Sequence, residues 1–188
     1  MSETKLTDNF LKTRFVERAT KAGATVLEAD GLAGAALVIA ATVKDKGEGL
    51  LVATPDLLAE RILTSVLPLQ PAKDEFTVAG SVAGVSPGRF GIAETGSIVY
   101  AANARLDRLV AMLTPVHFAL LYAENIVPDL EVAGGRIREL QVQEGCKYVS
   151  FVTGPSRTAD IERVLTIGVQ GPKELYIVLI NGAIETEK

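Results

Sequence analysis

Leu50-Leu51-Val52-Ala53-Thr54-Pro55 is the stretch on which the fold turns. Its apolar run is too short for a helix and reads as a buried strand. Thr54-Pro55 then starts a helix, because proline at the first helical position lacks only an N–H that would have had no partner there. Leu58, Ile62 and Val66 follow at helical spacing, and Pro68 ends the element. Working upstream, Thr25-Val26-Leu27 reads as a strand and Asp30 as the cap of an apolar helix over residues 31–44. Strand, helix, strand, helix with short links predicts parallel strands joined by crossover helices.

Further out, Leu11, Phe15, Ala19 and Ala22 form one stripe of a helix over residues 8–22, with Asp8 or Thr7 as cap and Gly23 at its end. Residues 1–23 are therefore expected to pack as a helix on a domain formed by residues 24–188. From Phe76 to Tyr100 no helical period exists. There, residues 91–94 and 97–100 flank Thr95-Gly96 at a spacing that suits a β-hairpin. Residues 116–123 predict a strand, and Leu130, Ala133, Ile137 and Leu140 predict a helix opened by Pro128. Gly134-Gly135 inside that helix implies close packing or a break. Residues 148–152 and 175–180 supply the last strands. The expected fold class is α/β: a mostly parallel sheet with flanking helices and an inserted antiparallel hairpin.

Composition excludes several functions. Lys and Arg number 19 against 23 Asp and Glu, without the basic clusters of a nucleic-acid footprint. Cys146 is the one cysteine and His117 the one histidine. An iron–sulfur cluster needs about four thiolates, and zinc sites of Cys and His fail for the same reason, so no cofactor or metal is expected. His117 alternates with apolar residues in a strand pattern, which makes it a core residue rather than a base for Cys146. No secretion signal opens the chain, and Leu32 to Val43 falls short of the about 20 residues of a membrane span. A cytoplasmic location, without a membrane span, is the expectation. Phosphate-loop, dinucleotide and nucleophile-elbow motifs are absent.

Chemistry concentrates in Gly154-Pro155-Ser156-Arg157-Thr158-Ala159-Asp160-Ile161-Glu162, which follows a buried strand. Open α/β sheets place ligands at such strand ends. Ser156 or Thr158 would cap a helix whose free N–H groups, with the Arg157 guanidinium, make an anion cradle. Asp160 and Glu162 could equally neutralise Arg157 in a structural role. Glu94-Thr95-Gly96 reads as a tight turn. Its small, apolar neighbours suggest partial burial, which would raise the pKa of Glu94 and suit it for acid, base or nucleophile chemistry. Gly168-Val169-Gln170-Gly171-Pro172 is a further turn that permits close backbone approach. The Arg105-Leu106-Asp107-Arg108 run reads as a charged helix face.

Together these segments resemble the LUD (lactate-utilization) family, in particular its lactate utilization protein C branch, over roughly residues 75–180. The resemblance implies a fold of the NagB/RpiA/CoA-transferase-like group. It implies a cluster-free component of a system that oxidises L-lactate to pyruvate, binding a small anionic molecule or supporting iron–sulfur partner subunits. Glu94 would be the catalytic candidate. Thr95, Gly96, Gly154, Ser156, Arg157, Thr158, Asp160 and Gln170 would contact ligand. Family members are expected to carry His where Gln170 stands, so a histidine-dependent mechanism lapses here. The alternative is a stand-alone enzyme of the same fold group that uses Glu94, as a CoA transferase, sugar-phosphate isomerase or cyclo-ligase would. A homo-oligomer stays open.

Overall fold

The computed structural model describes residues 3–158, 166–167 and 171–182. In chain order the elements are α1 (Glu3–Lys21), β1 (Thr25–Asp30), α2 (Gly31–Lys44), β2 (Leu51–Ala53), α3 (Pro55–Ala59), α4 (Arg61–Val66) and β3 (Leu69–Pro71). Then come α5 (Glu75–Ala79), β4 (Ala83–Pro87), β5 (Phe90–Ile92), β6 (Ser97–Ala101), α6 (Arg105–Leu113), β7 (Val116–Tyr122) and β8 (Ile126–Val127). The last are α7 (Leu130–Gln143), β9 (Val149–Val152), β10 (Arg157–Thr158), β11 (Thr166–Ile167) and β12 (Glu174–Asn181).

Six strands in the order β1-β12-β7-β4-β2-β3 form a sheet in which every described pairing is parallel. Alternation along these strands divides the core. Phe118, Leu120, Val178 and Ile180 face one side, where Ala35, Ala36 and Ile39 of α2 and Leu63 of α4 cover them. Their neighbours Ala119, Leu121, Ile177 and Leu179 face the other side, against Phe15 and Ala19 of α1 and Ile98 and Tyr100 of β6. On that second side Val52 of β2 instead meets Val78 of α5 and Val110 of α6. Two different covers thus share one face: a four-stranded sheet, β8-β5-β6-β9, and the helix pair α5–α6. A cavity opens where they diverge.

Several local expectations are corrected. The helix begun at Pro55 breaks at Glu60, whose backbone is extended (φ −75°, ψ 102°). The break turns Leu57 and Leu63 into the core together, six positions apart and so on different faces of an unbroken helix. The stripe Leu58, Ile62, Val66 is only partly covered, and Val66 is exposed. Within 76–100 the sequence hid α5, held by the Asp74 side chain accepting from the Thr77 amide at 2.7 Å, and β4, a central strand. The hairpin is present, but Ile92 pairs with Ser97, so four residues connect it rather than two. Arg157-Thr158 does not start a helix: it pairs antiparallel with Thr166-Ile167.

Gly134 and Gly135 overturn both alternatives offered for them. The helix runs through them unbroken, both are exposed, and a Cβ at either would meet nothing within 4 Å. Gly134→Ala and Gly135→Ala should therefore each raise stability by about 0.5–1 kcal/mol, through helix propensity alone. A higher denaturant midpoint at unchanged slope is the expected reading. A lower midpoint would show that α7 requires these glycines.

Candidate functional site

The cavity has a volume of about 680 Å³ and lies at the C-terminal ends of β2 and β4, the edge where open parallel sheets hold ligands. Its inner end is formed by Thr54, Ser86 and Tyr100; α6 contributes Asp107 and Arg108, and β9 contributes Ser150 to Val152. The loop after β9 adds Gly154 and Ser156, and β10 adds Arg157; Gly171 and Pro172 complete the lining. The Ser156 amide donates to Pro172 O at 2.9 Å, which ties the two C-terminal motifs together.

Behind Ser86 stands His117, fully buried, with Nε2 2.8 Å from Ser86 Oγ. Register explains the contact: Gly84 pairs with His117 and Ser86 with Ala119, so both side chains leave one face of adjacent strands. Burial pushes the imidazole pKa down to about 3, so the ring is neutral. The Tyr100 ring lies 5.6 Å from it, centroid to centroid. Burial raises the Tyr100 phenol well above its ordinary range, and the nearby Ser86 hydroxyl opposes this without completing a hydrogen bond.

Charge around the cavity is mixed. Arg89 is paired with Glu144. Arg108 is fixed by donating to the carbonyls of Ala102 (3.0 Å) and Asn103 (2.7 Å), and it stacks 4.1 Å from the Tyr148 ring. The Asp107 carboxyl is pushed up by burial and by Asp56, with Arg108 opposing. The Arg105–Arg108 run is thus only partly a solvated face: Arg105 pairs with Glu75, while Asp107 and Arg108 turn to the cavity. Arg157 is exposed, and its guanidinium lies over Gly23, where a Cβ would stand 2.0 Å from Nη2.

Of the residues singled out in the sequence, Gly154, Ser156 and Arg157 line the cavity and Thr158 follows in β10. Asp160 and Gln170 lie outside the described residues. Glu94, Thr95 and Gly96 are not in the lining. Glu94 is exposed, so the burial that would have made it reactive is missing. Its Oε2 accepts from the Leu130 amide at 3.2 Å, at the start of α7. Gly96 abuts α1, where its missing Cβ would stand 2.3 Å from the Ala19 nitrogen. Gly154 abuts the turn that follows α1, where its missing Cβ would stand 2.2 Å from Ala22 O. Both polar segments reach the end of α1. A hydroxyl chain joins them, Thr95 to Ser97 (2.7 Å) and Ser97 to Thr153 (2.6 Å), and Thr153 touches the cavity.

Sequence reading missed Thr54, Ser86, Tyr100 and the part of His117. One signal was present: Thr54-Pro55 and Ser86-Pro87 both set a hydroxyl and a proline after short apolar runs. Among the described residues no cluster of His, Cys, Asp and Glu could hold a metal ion. No described helix is long and apolar enough to cross a membrane.

Fold and cavity together define an α/β protein with a ligand-sized pocket at the carboxyl edge of a parallel sheet. The LUD domain family model matches residues 72–180, more than half of the chain, and the chain belongs to the LUD domain family. It is 40% identical over 91 residues to the Lactate utilization protein C of Anoxybacillus flavithermus, covering 48% of this chain and 40% of that one. It is 30% identical over 101 residues to the Lactate utilization protein C of Bacillus subtilis, covering 52% and 42%. The chain thus spans about two fifths of the length of these curated relatives. A crystal structure of a DUF162 family protein from Deinococcus radiodurans superposes with a TM-score of 0.66 at 18% identity, over 92% of this chain and 98% of that one; at that identity the likeness shows the fold alone.

Proposed function

We propose that this chain serves lactate utilization, as a cluster-free component of a system that oxidises L-lactate to pyruvate, and that its cavity takes a small carboxylic acid. The observation that carries this reading is the pocket at the sheet's carboxyl edge with Arg157 and Arg108 in its wall, in a chain similar to proteins called Lactate utilization protein C. A guanidinium matches a carboxylate in a two-pronged contact. With a single cysteine the chain holds no iron–sulfur cluster of its own. Electrons from lactate would then pass through partner subunits that carry clusters. The cavity is larger than a three-carbon acid needs, and so few ligand atoms support a dissociation constant only on the order of millimolar.

The test has two readouts. In a bacterium lacking its own Lactate utilization protein C, the chain should restore growth on L-lactate. Titrated with L-lactate and followed by NMR, Arg157→Ala should bind about tenfold more weakly, the loss of one charge-assisted hydrogen bond at an exposed position. A normally expressed chain that neither restores growth nor binds the acid overturns the reading.

A further inference from the structure

The inner end of the cavity is built from hydroxyls. Thr54 follows β2, Ser86 lies near the end of β4 and Tyr100 near the end of β6, and they are 5%, 2% and 8% exposed. The Thr54 amide donates to Val85 O at 3.3 Å, which sets Thr54 beside Ser86. Thr54 Oγ1, the Tyr100 hydroxyl and His117 Nδ1 have no hydrogen-bond partner among the described residues. Buried polar atoms are almost always partnered, so this end of the cavity holds hydrogen-bonding capacity that the described fold leaves unused.

The tautomer of His117 decides what Ser86 offers. A proton on Nδ1 would bury an N–H with no acceptor. A proton on Nε2 donates to Ser86 Oγ and leaves Nδ1 bare, the less costly arrangement. Ser86 is then an acceptor toward His117, and its own proton is free to donate into the cavity. Among the described residues no cation stands here, because the arginines of the lining are half-buried or exposed. A full negative charge is poorly accommodated by neutral hydroxyls in a dry site. An uncharged oxygen is accommodated well.

We propose that Thr54, Ser86 and Tyr100 form a docking point for an uncharged ligand oxygen, carbonyl or hydroxyl, belonging to an acid whose carboxylate stays at the arginine-bearing wall, and that His117 is the positioning residue that aims Ser86. This rests on the reading of the cavity as an acid site and adds the selectivity within it. An acid lacking the second oxygen is held by the wall alone and binds about tenfold more weakly, the worth of one neutral hydrogen bond.

Pyruvate and L-lactate, each compared with propionate, isolate that oxygen. His117 is the one histidine of the chain, so its imidazole ¹⁵N signals report on this site without ambiguity. The expected spectrum shows the Nε2–H tautomer, shifted by pyruvate or L-lactate and not by propionate. Preference for either oxygen-bearing acid, lost in Ser86→Ala and in His117→Gln while propionate binding persists, supports the site. Equal binding of all three acids at the Asn103 and Arg108 signals overturns the hydroxyl site and leaves the acid cavity standing. No perturbation by any of them at saturating concentration overturns both. Should His117→Gln fail to fold, the tautomer decides: Nδ1–H in the wild type removes His117 from the role.

Discussion

Gly96→Ala should lower the stability of the chain by about 3 kcal/mol or more, which at this size is roughly 6–12 °C in Tm. Two effects add. Gly96 has φ +69°, where a side chain strains the backbone by about 1–3 kcal/mol. The new Cβ would also stand 2.3 Å from the Ala19 nitrogen and 2.5 Å from the Arg18 carbonyl carbon. Those are backbone atoms of α1, so no rotamer change relieves the contact, and overpacking of this kind costs about 1–3 kcal/mol. The helix must shift, and with it Phe15 and Ala19, both fully buried. Gly154→Ala presses the turn that directly follows this helix, at φ +76° and 2.2 Å from Ala22 O. Because either substitution displaces α1, the double variant should lose less than the sum of the singles. A Tm within 2 °C of wild type for Gly96→Ala would remove this account of the motif.

That account bears on what a single sequence reveals. Gly96 and Gly154 announce close approach, but not of what; a helix backbone and a ligand leave the same trace. The alternating elements were legible because apolar runs such as Leu50–Ala53 and Val116–Tyr122 carry their own evidence of burial. Strand β4 was not, since Ala83-Gly84-Val85-Ser86-Pro87 is short, built of small residues and ends in a serine and a proline. The serine that faces the cavity is part of what disguises the strand. Local rules fail most often at functional sites, and here a strand with a polar inward residue and a proline end breaks two of them. At Arg157-Thr158 the cap-like residues suggested a helix, whereas the deciding partner, Thr166-Ile167, is a pairing that no local pattern announces. His117 was correctly placed in a buried strand, and its bond to Ser86 followed only from the register of β4 on β7.

Acid should destabilise the protein earlier than its carboxylates would require, and His117 is the cause. Its folded pKa is about 3 against an ordinary 6.5. Between those values the unfolded chain binds one proton that the folded chain refuses, so stability is fully present above pH 6.5 and falls as pH drops. The slope approaches 1.4 kcal/mol per pH unit, giving a loss of about 2–3 kcal/mol by pH 4.5. Glu28 and Glu174 act in a lower window. They are held below 4.5 by hydrogen bonds from Lys12 and Lys46, so their contributions are lost only beneath that pH. Asp107, shifted upward, works in the opposite sense. Denaturant unfolding of the wild type at pH 7, 6, 5.5 and 5 should therefore show a steady decline, while His117→Gln, whatever its absolute stability, should be nearly level. A level wild-type curve would mean that the imidazole is reached by water, and a hydrated imidazole would not aim Ser86 at anything.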